Sequence, residues 1–116
     1  MPREAKAFLR DILEAARRIE EYIADLDFEH FCSSDLVRDG VVRNLEIIGE
    51  ATKNLPKEMM VKHPEIEWKK IVRMRDILTH AYFGVDETVV WDVATNKLGA
   101  LKSAVSKMIR EIEKCD

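Results

Sequence analysis

The chain contains no glutamine, three histidines, two cysteines, three prolines and four glycines in 116 residues. Glycine and proline together are about 6%, roughly half their average usage. A β-sandwich or barrel needs turn chemistry about every 8–12 residues, so so little of it argues against both. No apolar run approaches the roughly 18–20 residues of a membrane-spanning helix, and the N-terminus, MPREAKAFLR, lacks a signal-peptide pattern. No membrane contact is expected, and a cytoplasmic location is. Cys32 and Cys115 lie 83 positions apart, without metal-type spacing; the simplest reading is a buried thiol and a frayed terminus. The histidines, at 30, 63 and 80, form no His-x-x-x-His or Glu-x-x-His pattern. Neither a metal nor another cofactor is expected.

Hydrophobic residues make up 47% of the chain and charged ones 35%, which suits one domain spanning residues 1–116 and one core. Missing glutamine beside many charges follows the composition trend of heat-adapted proteins. The net charge of −3 argues against coating nucleic acid by bulk electrostatics. The distribution is uneven, however. Residues 1–35 carry 5 basic and 9 acidic groups, whereas residues 53–75 carry 7 basic and 3 acidic. One local stretch can therefore hold an anion on an otherwise acidic chain.

Hydrophobic periodicity predicts helices throughout. Ala5, Leu9, Ile12, Ala16, Ile19, Ile23 and Leu26 recur in alternating steps of four and three, one apolar stripe on a helix of about 25 residues. Phe28 to Ser34 break the pattern, and Ser33 or Ser34 offers an N-cap for a second helix over Asp35–Leu55. That helix buries Val41, Leu45, Ile48, Thr52 and Leu55 and tolerates Gly40 and Gly49, which signals close approach of a neighbour. A short helix is expected over Pro56–Lys62, and another from about Glu65, carrying Ile66, Ile71, Met74 and Leu78. From an N-cap at Asp86, the stripe Trp91, Ala94, Leu98, Leu101, Val105, Met108 and Ile112 completes the chain. Trp68 and Trp91 read as core, and His30 and His63 as surface or capping residues. The expectation is an all-α, up-and-down bundle of four to five helices.

Chemistry concentrates between Lys69 and Tyr82. Positions 69 to 75 hold Lys69, Lys70, Arg73 and Arg75 and no acid, and His80 and Tyr82 follow. Arginine donates bidentately to phosphate, and histidine exchanges protons near neutral pH. Together they suffice for metal-free cleavage of an RNA phosphodiester. Histidine takes the 2′-hydroxyl proton, and arginine stabilises the added charge of the pentacoordinate transition state. At about 100° per residue, Arg75 and Tyr82 share a face, whereas His80 points about 140° away from Arg75. Either the helix loosens before His80, or the groups meet across an interface between two copies of the chain.

Arg75-Asp76-Ile77-Leu78-Thr79-His80-Ala81-Tyr82 fits the Arg-x4-His-x-Tyr motif of the HepT-like toxins, a branch of the HEPN superfamily. The block from Val42 to Ala51 resembles that family's second-helix block. Ile66 to Ile71 precede the motif, and Val85-Asp86 and Val90-Trp91 follow it, as in relatives. The resemblance spans about residues 5–110. It implies a HEPN-like helical homodimer acting as a metal-independent ribonuclease, with Arg75 and His80 at the dimer cleft. Asp76 stands where relatives often carry asparagine; its carboxylate partly offsets Arg75 and can orient Arg75 or His80. The resemblance further implies pairing with an MntA-type nucleotidyltransferase antitoxin that attaches AMP to Tyr82. The basic run itself leaves Lys69, Lys70 and Arg73 with two readings, a solvated face or residues that bind RNA phosphates on the approach to the site. Phosphate on the face of Arg75 would occupy its guanidinium and repel an RNA backbone. Two other readings compete: a non-catalytic subunit that binds a nucleotide or docks the nucleotidyltransferase, and a structural oligomerisation domain.

Overall fold

A computed structural model describes residues 2–79 and 86–115. Among these residues, seven α-helices follow in chain order: α1 (Pro2–Ile23), α2 (Phe28–Ser33), α3 (Asp35–Lys53), α4 (Lys57–Val61), α5 (Trp68–Thr79), α6 (Glu87–Asp92) and α7 (Leu98–Cys115). A π-helical turn, Val93–Lys97, joins α6 to α7 as one rod. The described residues form no strand. Four rods, α1, α3, α5 and α6 through α7, make the expected all-α bundle, with α2 and α4 as short connectors.

The α1 stripe builds the centre: Leu9, Ile12, Ala16 and Ile19 are completely buried. They meet Val41, Leu45 and Ile48 from α3 and Leu101, Val105 and Met108 from α7 in one cluster. Ion pairs at both ends set α1 antiparallel to α7, Lys6 with Glu113 at 3.0 Å and Lys102 with Glu20 at 2.6 Å. On α1's wet face, Arg17 pairs with Glu14 and Glu21, as helical spacing demands. The helix ends three residues before Leu26, because Asp25 takes a left-handed φ of 66° that breaks the ladder. Phe28 to Ser33 are helical rather than irregular: Asp27 accepts from the His30 backbone N–H at 2.9 Å and starts α2. Phe31 of α2 is buried and packs on Trp91, ring centroids 5.1 Å apart.

Ser34 caps α3, and Asp86 caps α6 by accepting from the Thr88 and Val89 N–H groups. Both glycines of α3 sit at close approaches. A Cβ on Gly40 would lie 3.1 Å from the Tyr22 ring, and one on Gly49 only 2.4 Å from the Arg75 Cβ. His63 departs from expectation. It is 7% exposed, with Nδ1 3.5 Å from Glu65 and Nε2 3.2 Å from Glu111 of α7. The turn between α4 and α5 drives it against a helix 48 positions onward, a contact that local sequence cannot announce. Trp68 is half-buried, and its Nε1–H donates to the Met60 and His63 carbonyls, pinning the start of α5. α5 accordingly begins at Trp68, three residues after the predicted start.

Candidate functional site

α5 places the motif arginine. It runs unbroken to Thr79, its N-terminal end held by Trp68 and its middle pressed against Gly49 of α3. With no side chain at position 49, the α3 backbone reaches the Cβ of Arg75 and the carbonyl of Ile71. That contact brings the next residue, Glu50, beside the arginine: Arg75 Nε lies 3.2 Å from Glu50 Oε2. Arg75 Nη1 donates to Asp76 Oδ1 at 2.9 Å. The hydrogen bond to Asp76, then the charge of Glu50, raise the Arg75 pKa above its ordinary value, so the guanidinium stays charged.

Arg75 opens on a cleft of about 280 Å³ between α1, α3 and α5, lined by the charged Asp11, Arg43, Glu46 and Glu50 and the apolar Phe8 and Ile47. Lys69, Lys70 and Arg73 do not join it. In a straight α5 they point about 120–160° around the axis from Arg75. Lys69 and Arg73 are exposed and pair with no described residue, whereas Lys70 pairs with Glu67 at 2.8 Å. Lys70 instead borders a second, apolar cavity of about 350 Å³ between α5 and the α6–α7 rod, floored by Leu45, Ile48, Ile71, Met74 and Leu101. The structure thus brings Arg75 together with Asp76 and turns Arg75 away from the other three basic side chains. His80 and Tyr82 lie outside the described residues.

Among the described residues, no group of three or more His, Cys, Asp or Glu side chains is arranged to hold a metal ion. No helix among them is long and apolar enough to cross a membrane.

Comparison with known proteins decides the family. Residues 12–108 match the family described as Ribonuclease HepT-like. The chain belongs to that family. It is 44% identical to "Probable ribonuclease HepT" of Thermococcus cleftensis over 93% of this chain and 98% of that one. It is 39% identical to "Putative RNase MJ0127" of Methanocaldococcus jannaschii, over 97% and 94% of the two chains. A longer protein of the same organism, "Gamma-glutamylcyclotransferase and putative RNase MJ0434", is 42% identical across 98% of this chain and 51% of its own length. No solved structure gives a significant match.

Within this HepT-like chain, Glu50 is the site residue that motif reading passed over. A signal existed. Glu46 and Glu50 stand four apart on α3, a like-charge pair that costs a few tenths of a kcal/mol in a helix unless a cation faces it. Arg75 is that cation, since both carboxylates raise its pKa.

Proposed function

We propose that this HepT-like protein is the ribonuclease toxin of a HepT/MntA-type toxin–antitoxin pair. It acts as one domain over residues 1–116 in the cytoplasm, cleaving RNA without a metal or other cofactor. The observation that carries the reading is family membership combined with Arg75, a permanently charged motif arginine at the mouth of an open cleft. The names borne by its relatives point the same way.

In this reading, His80 removes the proton from a ribose 2′-hydroxyl, and the 2′-oxygen attacks the adjacent phosphorus. The bond to the 5′-oxygen breaks, that oxygen takes up a proton, and a cyclic phosphate remains. Arg75 donates to the phosphoryl oxygens as charge accumulates on them. Asp76 orients Arg75, a role that its 2.9 Å hydrogen bond supports. Lys69, Lys70 and Arg73 hold flanking phosphates; being outside the Arg75 cleft, they bear on the RNA away from the scissile bond. Two chains form a symmetric homodimer whose shared cleft carries both copies of Arg75, His80 and Tyr82. The nucleotidyltransferase partner silences it by attaching AMP to Tyr82, setting phosphate against the arginine.

The test is cleavage of single-stranded RNA by purified protein, without its partner and with chelator present. Wild type should cut, and Arg75→Ala and His80→Ala, still folded, should not. Intact RNA with the wild type would overturn the catalytic claim in favour of a nucleotide-binding or docking subunit.

A further inference from the structure

We propose that Arg43 of α3 is a phosphate-binding residue of the Arg75 cleft, seating the RNA phosphate next to the scissile one. The proposal rests on the ribonuclease reading of the site and adds to it a cation outside the Arg-x4-His-x-Tyr motif and outside the basic run of α5.

Among the described residues two cations line this cleft, Arg75 from α5 and Arg43 from α3. Arg43 is exposed, and its guanidinium has no ion pair or hydrogen bond to a described residue. Arg75, by contrast, has ion pairs with Glu50 and Asp76. Arg43, Ile47, Glu50 and Asn54 step by four, three and four along α3, so they share the face that walls the cleft. Two helical turns put Arg43 about 10 Å along α3 from Glu50. The Glu50 carboxylate in turn lies 3.2 Å from Arg75 Nε. The two arginines are thereby mounted at different levels of one cleft, a spacing that suits two phosphates of one strand rather than a single phosphate.

Asp11 of α1 and Glu46 and Glu50 of α3 line the same cleft, three carboxylates against two guanidinium groups, so bulk charge does not draw RNA in. A phosphate has to be seated there by directed bonds. Arginine gives these as a planar fork of donors, and Arg43 can offer its fork without first leaving a partner. Lys69, Lys70 and Arg73 line no part of this cleft. A phosphate that is not broken makes the same contact before and during the reaction, so Arg43 acts on binding and register rather than on the chemical step. On a single-stranded hexanucleotide, Arg43→Ala should raise KM about tenfold and keep kcat within about threefold of wild type. On a dinucleoside monophosphate, whose only phosphate is the scissile one, the variant should match wild type. An unchanged KM on the hexanucleotide, or the same loss on both substrates, overturns the proposal. Arg43 is an exposed helical residue, so alanine there disturbs no core contact.

A readout independent of catalysis is fluorescence anisotropy with a labelled 2′-deoxy hexanucleotide, which lacks the attacking hydroxyl. Arg43→Ala should weaken its binding about tenfold and reduce the salt slope by about 1. Arg43→Lys, which keeps the charge and loses the fork, should recover part of that affinity; a lysine variant equal to wild type would reduce Arg43 to bulk charge and overturn the seating. Arg110→Ala, at an exposed arginine of α7 outside the cleft, should bind as wild type does. Affinity unchanged in Arg43→Ala, or lowered equally in Arg110→Ala, refutes the phosphate site even if RNA is cut. Wild type that leaves RNA intact while Arg43→Ala alone weakens binding refutes the ribonuclease reading and leaves the phosphate site standing.

Discussion

Three helical glycines differ only in what a methyl group would meet, so alanine substitution at each isolates one physical effect. In a helix interior, glycine to alanine gains about 1 kcal/mol from backbone entropy. At Gly99 a new Cβ has nothing within 4 Å, so the gain should appear in full. At Gly40 the Cβ meets the Tyr22 ring at 3.1 Å. That ring is 39% exposed and can rotate outward, so the variant should be neutral to slightly stabilised. At Gly49 the Cβ falls 2.4 Å from the Arg75 Cβ, 3.1 Å from the Ile71 carbonyl and 3.3 Å from the Arg75 Cα. These are backbone and near-backbone atoms, so relief requires α5 to back away from α3 by about 1 Å. Overpacking of this kind costs about 1–3 kcal/mol, and rigid atoms put it at the upper end. Net of the helix-propensity gain, Gly49→Ala should lose about 1–2 kcal/mol, or about 4–8 °C in melting temperature for a chain of this size. Urea and thermal unfolding followed by circular dichroism would read all three. The order should be Gly99→Ala above Gly40→Ala above Gly49→Ala. A Gly49→Ala protein as stable as Gly99→Ala would refute the close α3–α5 contact and the account of the Arg75 cleft built on it.

Acid stability follows from four carboxyl groups whose pKa values lie below the ordinary range. The causes are hydrogen bonds from Lys6 to Glu113, Arg17 to Glu14 and Lys70 to Glu67, and from the His30 backbone N–H to Asp27. A lowered native pKa means the unfolded chain protonates first. The stabilisation is therefore complete above the ordinary carboxylate values of about 4 and is lost as pH falls through the lowered ones. Unfolding midpoints should be flat from neutral pH down to about 5, fall below about 4, and fall less in Lys6→Met; a flat profile through that range would contradict it. For the basic stretch, Lys69→Ala and Arg73→Ala should each weaken RNA binding and reduce its salt slope by about 1. Lys70→Ala should do less, because Glu67 already holds that ammonium. Equal effects from all three on cleavage at saturating RNA would place them at the reaction centre instead.

Much of the bundle was legible in advance because a helix repeats its burial every three or four residues. Ala5 to Ile19, Val41 to Thr52 and Ala94 to Ile112 are buried where their spacing puts them, and Ser34 and Asp86 cap where their chemistry suggests. The glycines of α3 likewise announced close approaches, since an interior glycine needs a reason. Short elements were less legible. α2 depends on one Asp27 cap, and the end of α1 on one left-handed residue, Asp25. Neither leaves a periodic trace.

Sequence by itself determined the all-α class, the stripes that face the core and the basic run from Lys69 to Arg75. These are local properties, written in spacing and side-chain type. Tertiary structure alone decided which partners each group acquired. It buried His63 against Glu111 and set Glu50 of α3 beside the arginine's Nε. Such pairings depend on the distance and rotation between helices. Those are set by packing at contacts such as Gly49 on Arg75, which join residues far apart in the chain.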